Sequence, residues 1–318
     1  MKKMFFLLAI PLALASCKPK TIKLHLALDK DKTYHFIIKQ NSDLQQTYQG
    51  KINKLSTEIE VAYAFKVTDI PQDTLYHMEV SYEHLHLEDK TRNGLNDFYF
   101  DSDNSFDHNP FKVIFASVIK HPFNIVMTQS GKISFITNMD KQIDDALNYY
   151  PSLSLLDRDR MKTRLQRFLG ETAFRKNVEN WTAISPGKAL KEDDKWHIKK
   201  SMGDAVPSVA DVSYQLTSID KDGQNIIKAT AKVMPVDTTN FMEENGARVK
   251  YNLPGDIQMS FILDEDTGWI SEAIFTQQAA GKIEFKAFKA GEPNIIIPMS
   301  LSSLGTVKSN KETEQALN

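Results

Sequence analysis

The sequence predicts an α+β protein: large curved antiparallel sheets in two duplicated, half-barrel-like halves, with a helical insert between them. Three observations lead there. Apolar residues alternate with period two along most of the chain, most clearly at Ile59, Val61, Tyr63, Phe65 and Val67, the pattern of strands with one buried and one wet face. From about residue 139 to 184 the period becomes helical, with Met161, Leu165, Phe168 and Leu169 at i, i+4, i+7 and i+8. Alternation then resumes to the end. A sheet of so many strands must curl, split or close, and helices against one face complete its core.

The chain begins with Lys2 and Lys3, an apolar run from Met4 to Leu14, and then Ala15-Ser16-Cys17. A short apolar run behind positive charge, ending in small residues, reads as a secretion signal. It is too short for a permanent span of the roughly 30 Å hydrocarbon core. Ala15 and Ser16 before the only cysteine resemble the lipobox of bacterial lipoproteins. That resemblance implies removal of residues 1–16 by cleavage between Ser16 and Cys17, acylation of Cys17, and a lipidated tether over residues 17–21. More than one acyl chain, at about 0.8 kcal/mol per buried CH₂, gives stable anchoring, so the membrane is the first expected partner. Lys18 stands where lipoproteins retained in the inner membrane carry aspartate, which by the same resemblance implies the outer membrane. The membrane face stays open between periplasm and surface.

The formal charge of −2 becomes −4 once the two signal lysines are removed. A balance so near neutral argues against nucleic acid, which calls for a basic patch. No further run of 18 apolar residues follows the signal. With Cys17 committed to lipid, the mature chain has no thiol for a disulfide or for thiol catalysis.

Residues 22–138 read as an N-terminal sheet half. Ile22, Leu24, Leu26 and Leu28 alternate, Asp29 to Lys32 turns, and Tyr34, Phe36 and Ile38 resume; Pro71-Gln72-Asp73 turns the chain into Leu75–Leu87. Asn93 to Pro110 is a polar and aromatic excursion. Residues 139–187 form the helical insert, with Asn138 as N-cap and Gly170 placed to end or kink a helix. Residues 188–308 form the C-terminal sheet half, with hairpin signals at Lys221-Asp222-Gly223 and Asp264 to Gly268. Residues 309–318 are a polar tail.

The halves carry similar fragments in one order. Lys30 to Phe36 is similar to Asp193 to Ile198, Val67 to Ile70 to Leu216 to Ile219, and Gly131 to Ser134 to Gly268 to Ser271. Duplication and convergence both explain this, because meanders alternate and turn alike. The lipobox, Lys32-Thr33-Tyr34, Phe100-Asp101-Ser102, the Gly131 turn and the Asp264–Gly268 turn together resemble a family of Bacteroidota envelope lipoproteins classed as a domain of unknown function. The resemblance implies location and architecture and supplies no catalytic residues.

Few residues offer chemistry. His84, His86 and Glu88 share one face of a strand over Tyr82–Glu88, and His-x-His beside a carboxylate is a zinc-ligand pattern; with no third histidine at a telling spacing, a hydrated strand end is the simpler explanation. Asp101, Asp103, Ser105, Asp107 and Asn109 imitate a calcium loop, but Phe106 and Lys112 occupy the positions that need glycine and glutamate. No nucleophile elbow, serine–lysine signature or phosphate loop occurs, and no cofactor is implied. Phe98, Tyr99, Phe100, Phe106, Phe111 and Phe115 form either an aromatic lid or tucked-in core.

The function expected from the sequence is a non-catalytic, membrane-anchored binding module for an apolar ligand or lipid. A scaffold component binding an envelope protein and a hydrolase using carboxylates or histidines are the rivals. A carrier predicts a mainly apolar cavity of several hundred Å³, a scaffold a filled sheet with exposed aromatics, and a hydrolase a polar cleft.

Overall fold

The computed structural model describes residues 20–309 apart from 72–73, 92–96, 105–109, 203–206, 245, 288 and 290. The signal segment, Ser16, Cys17, Phe106 and all of the tail after Ser309 lie outside the described residues. In chain order the strands are β1 (Thr21–Lys23), β2 (Thr33–Tyr48), β3 (Lys51–Asp69), β4 (Leu75–Thr91), β5 (Phe98–Asp101), β6 (Phe123–Thr128) and β7 (Ile133–Thr137). After the helices come β8 (Ala189–Lys191), β9 (Lys195–Met202), β10 (Ser208–Lys221), β11 (Gln224–Pro235) and β12 (Met242–Glu244). The set ends with β13 (Ala247–Asn252), β14 (Gly255–Asp264), β15 (Ile270–Phe285) and β16 (Ile295–Lys308). The helices are α1 (Pro110–Ile119), α2 (Met139–Asn148), α3 (Leu155–Leu169) and α4 (Glu171–Thr182).

One antiparallel sheet takes all the strands except β1 and β8, which pair as a small ribbon. Its order is β7-β6-β4-β3-β2-β16-β15-β14-β11-β10-β9, with β5 added to β4, and β13 and then β12 added to β15. The expected two halves are therefore not two sheets. β2 and β16 pair from Ile37↔Lys308 to Gln46↔Met299 and make one continuous surface. Nor do the helices after β7 lie between separate sheets: they carry the chain from one edge, β7, to the other, β9.

The sheet is open and curls around α4. That helix meets β7 through Glu179 and β9 through Asn180, although those strands lie ten places apart. Ten spacings of about 4.8 Å would be about 48 Å in a flat sheet, against a helix diameter of about 10–12 Å. Only a rolled sheet brings both edges to one helix.

The alternation seen in the sequence sorts the side chains accordingly. Phe36 and Ile38 on β2, Val61, Tyr63, Phe65 and Val67 on β3, Val212, Tyr214 and Leu216 on β10, and Phe261 and Leu263 on β14 are buried in one core. α4 supplies Phe174, Val178 and Trp181 to it, at i, i+4 and i+7. The Phe174 ring lies 4.8 Å from Phe123, 5.5 Å from Tyr63 and 6.2 Å from Phe65, centroid to centroid, within the range of favourable aromatic pairs. A smaller cluster packs β13 against β15 and β16 through Val249, Tyr251, Ile283 and Met299.

Two local expectations are corrected. Only Thr21–Lys23 of the first alternating run is a strand; Leu24, Leu26 and Leu28 are buried in an extended segment outside the sheet. Leu26 N–H donates to the Gln129 carbonyl and Ala27 N–H to the Thr267 carbonyl, both at 2.8 Å, so the segment lies across two turns at one end of the roll. Alternation there reports burial, not ladder pairing. Asn138 does occupy the position before α2, but at φ 70° and with no side-chain cap bond. The side-chain cap is on α3, where Ser154 Oγ accepts from Asp157 N–H at 3.1 Å.

Gly131 fixes the lower end of α4. Its φ is +78°, and a Cβ there would run into the Thr182 carbonyl. The close approach lets Thr182 Oγ1 donate to the Gly131 carbonyl at 2.6 Å.

Candidate functional site

Between α4 and the sheet lies a cavity of about 140 Å³. Ile38, Trp181, Met202, Val212, Ile257, Met259 and Phe275 make its walls mainly apolar, and Gln40, Asn177, Asn180, Lys200 and Gln277 add polar groups. Trp181 stands on the last turn of α4, braced by Phe261 and Phe275 with ring centroids 5.9 and 5.3 Å away. Its position follows from the helical spacing that also buries Phe174 and Val178.

Lys200 enters this space because it shares the inward register of β9 with Trp196 and Ile198. Its Nζ donates to the backbone carbonyls of Asn180 at 3.0 Å and Glu179 at 3.3 Å. A cation at the carbonyl end of a helix is favourable both as a cap and against the helix dipole. Burial pushes the Lys200 ammonium down to about 8, with the Glu179 carboxylate opposing that shift. An ammonium has three donors, so one is left for another acceptor after these two bonds.

Tyr214 lies beside it. Its ring stacks on Trp196 at 5.4 Å and 10° between planes, and Lys200 Nζ lies 5.9 Å from its centroid. The side chain is fully buried, yet its hydroxyl has no hydrogen-bond partner among the described residues. Burial raises its pKa well above the ordinary tyrosine value, so it stays a neutral donor and acceptor. Lys200 and Tyr214 were not picked out from the sequence. The available signal was a lysine at an inward position, Trp196-x-Ile198-x-Lys200-x-Met202, where alternation calls for an apolar side chain.

On the opposite face a shallow open groove of about 580 Å³ crosses the small residues Gly255, Ala280, Ser300 and Ser302 between Lys232 and Asp43. It is open to solvent and lacks the converging buried polar groups of the inner cavity.

The histidines and glutamate picked out from the sequence lie on the outward side of β4, where a register shift after Tyr63↔Tyr82 brings His84 opposite Ala62. The structure does not bring the three together. His86 and Glu88 gather with Glu58 of β3, whereas His84 gathers with Asp101 and Asp103. Neither group faces the cavity. Cys17 and Ser16 lie outside the described residues. Of the aromatic excursion, Phe100 and Phe115 are fully buried with ring centroids 5.4 Å apart and planes tilted by 43°, and Tyr99 is exposed. The core reading holds for those two phenylalanines. No described helix is long and apolar enough to cross a membrane.

Among solved structures, the chain is similar to lipovitellin, from a structure on its lipid–protein interactions, at 9% identity and a TM-score of 0.43. That likeness covers 92% of this chain and 27% of lipovitellin, so the chain spans about a quarter of its length. An outer membrane channel from Pseudomonas putida F1 is similar at 10% identity and a TM-score of 0.21, covering 90% of this chain and 97% of the channel. TM-scores below 0.5 mark these as distant likenesses. No curated protein sequence matches the chain. The family model that does match spans residues 73–270, well over half of the chain, and so this protein belongs to the family of unknown function DUF6263.

Proposed function

We propose that this protein is a non-catalytic binding module of the bacterial envelope, held at the outer membrane by lipid on Cys17, and that the cavity beside α4 receives the end of an apolar ligand bearing a polar or anionic group. Its placement among Bacteroidota lipoproteins is part of the same proposal.

The observation that carries the ligand is the orphaned Tyr214 hydroxyl on the wall of a mainly apolar cavity. Leaving a buried hydroxyl unpaired is destabilising by about 1–3 kcal/mol, and such groups call for a specific explanation. A ligand oxygen reaching both Tyr214 and the spare donor of Lys200 supplies one. The volume suits a chain end and not a whole lipid: an engineered apolar cavity of about 150 Å³ holds benzene. The cavity of several hundred Å³ expected of a carrier that encloses its cargo is not what stands beside α4. Among the described residues no histidine, aspartate or glutamate lines the cavity, which weakens the reading as a hydrolase using carboxylates or histidines.

The test is calorimetric titration of octanoate into the purified mature chain. Binding is expected, together with its loss in Ala210→Leu, which fills the cavity from a buried wall position. Equal binding by both proteins, or none by the parent, would sink the ligand reading. The anchor is tested separately: Cys17→Ala should abolish labelling by a fatty-acid analogue and free the protein from membranes.

A second reading, contact with an envelope protein, has one observation in its favour. Tyr149 and Leu155 are 83% and 87% exposed, with Leu156 beside them, at the junction of α2 and α3.

A further inference from the structure

The outward side of β4 and β5 carries a second, independent constellation. His84 and His86 point outward from β4, and across from them stand Asp101, at the end of β5, and Asp103, in the short 3-10 turn Ser102–Asn104 that follows. His84 Nδ1 lies 3.2 Å from Asp103 Oδ2, and His86 Nδ1 lies 3.7 Å from Asp101 Oδ2. The possible ligand atoms of His84, Asp101 and Asp103 all lie within 4.8 Å of one another.

We propose that His84, Asp101 and Asp103 bind a divalent transition-metal ion of the zinc class. Two ligand atoms at about 2.0–2.1 Å from a tetrahedral zinc are about 3.3 Å apart, and the His84–Asp103 distance already matches that edge. The carboxylate of Asp101 is preoriented: its Oδ1 accepts from Asp103 N–H at 2.9 Å, which turns the other oxygen toward the histidines. The His84 and Asp101 side chains are only 24% and 15% exposed, and Asp103 is open to solvent at 70%, giving two supported ligands and one at the mouth. An imidazole with two carboxylates favours zinc-like ions over calcium or magnesium, which take all-oxygen sets.

Charge points the same way. Glu58, Glu88, Asp101 and Asp103 put four carboxylates around this face. Lys90 pairs with one of them, Glu88, at 2.7 Å. That pairing is also why the ion is assigned to His84, Asp101 and Asp103 and not to the adjoining group of Glu58, His86 and Glu88. The bound ion would pin β5, and with it Phe100 on Phe115, to β4. It lies on the face away from the cavity, so it does not depend on the ligand reading.

Zn²⁺ titrated into the metal-free full mature chain, in competition with a chromophoric chelator, tests this. One ion per chain is expected, with at least tenfold weaker binding in His84→Ala and in Asp101→Asn. His197→Ala removes an exposed histidine that lies 3.6 Å from Asp211 elsewhere on the sheet, and should change nothing. Zn²⁺ should also raise the melting temperature of the parent and of His197→Ala, and not that of His84→Ala; this reading also shows whether each variant folds. Binding untouched by His84→Ala and Asp101→Asn, loss in His197→Ala as well, or Ca²⁺ bound as tightly as Zn²⁺ would each overturn the assignment.

Discussion

Glu179 and Asn180 are neighbours on α4, yet they hold opposite edges of one sheet. Ile133 N–H on β7 donates to Glu179 Oε1 at 2.8 Å, and Lys200 Nζ on β9 donates to the Asn180 carbonyl at 3.0 Å. The last turn of α4 is a staple across the gap that an open sheet leaves between its first and last strands.

The Lys200 end of that staple is pH-sensitive. Its ammonium titrates at about 8 when folded, against 10.5 for a free lysine. Between those values the unfolded chain binds more protons, so stability rises with pH. The contribution is complete above the unfolded value and is lost as pH falls through about 8. Its size is on the order of 3 kcal/mol. Tyr63, Tyr82 and Tyr214, all raised by burial, act in the opposite direction above about pH 10. Urea unfolding at pH 7.5 and 9.5 should show the parent gaining stability relative to Lys200→Met. A difference that is flat with pH would contradict this.

Phe174 is fully buried against Tyr63, Phe65 and Phe123. Phe174→Ala should cost about 3–5 kcal/mol, the range for deleting a buried aromatic side chain. Denaturant midpoints would measure it. A loss below about 1 kcal/mol would mean that α4 is not the central packing element.

Gly131 and Gly187 separate backbone conformation from crowding. Both have φ above +70°, but a Cβ at Gly187 meets nothing within 4 Å, whereas at Gly131 it meets the Thr182 carbonyl. Gly187→Ala should cost about 1–2 kcal/mol, the left-handed penalty alone. Gly131→Ala should exceed that by about 1 kcal/mol or more, since a buried end of α4 must shift. Equal losses in chemical denaturation would refute the crowding argument.

Tyr214→Phe removes a hydroxyl that has no partner among the described residues. Without ligand the variant should be as stable as the parent, or more stable by about 1 kcal/mol. Octanoate affinity should fall about fivefold or more. Calorimetric melting and titration on the same samples distinguish this from an ordinary structural tyrosine, whose loss lowers stability.

Much of the strand content was legible because alternation is a local property: Ile59 to Val67 and Val212 to Leu216 needed no partner to be read. So were the turns at Asp222-Gly223 and Asp264 to Gly268, where the residues themselves set the backbone. Strand partners were not legible. Ile38 opposite Val307 joins residues whose local patterns resemble every other strand, so the sequence suggested two halves where there is one sheet. The ligand cavity was hidden for the same reason. Lys200 and Tyr214 acquire meaning only once β9, β10 and α4 meet, and one inward lysine was the sole local trace. His84 and His86 were visible as a pair, but their carboxylate neighbours come from β3, β5 and the turn after it.

The pairing of β2 with β16 also sets an order of events. β2 is the second of the described strands and β16 the last of them, so the seam between them cannot close until residues 295–308 have been made. Pairings of such long range are slow to form. Meanwhile β2 and β15, each 16 residues long, present unpaired backbone that readily recruits other chains. The 14 residues of β16 are thus more than one strand among many: their arrival ends the period in which this chain is most prone to aggregate.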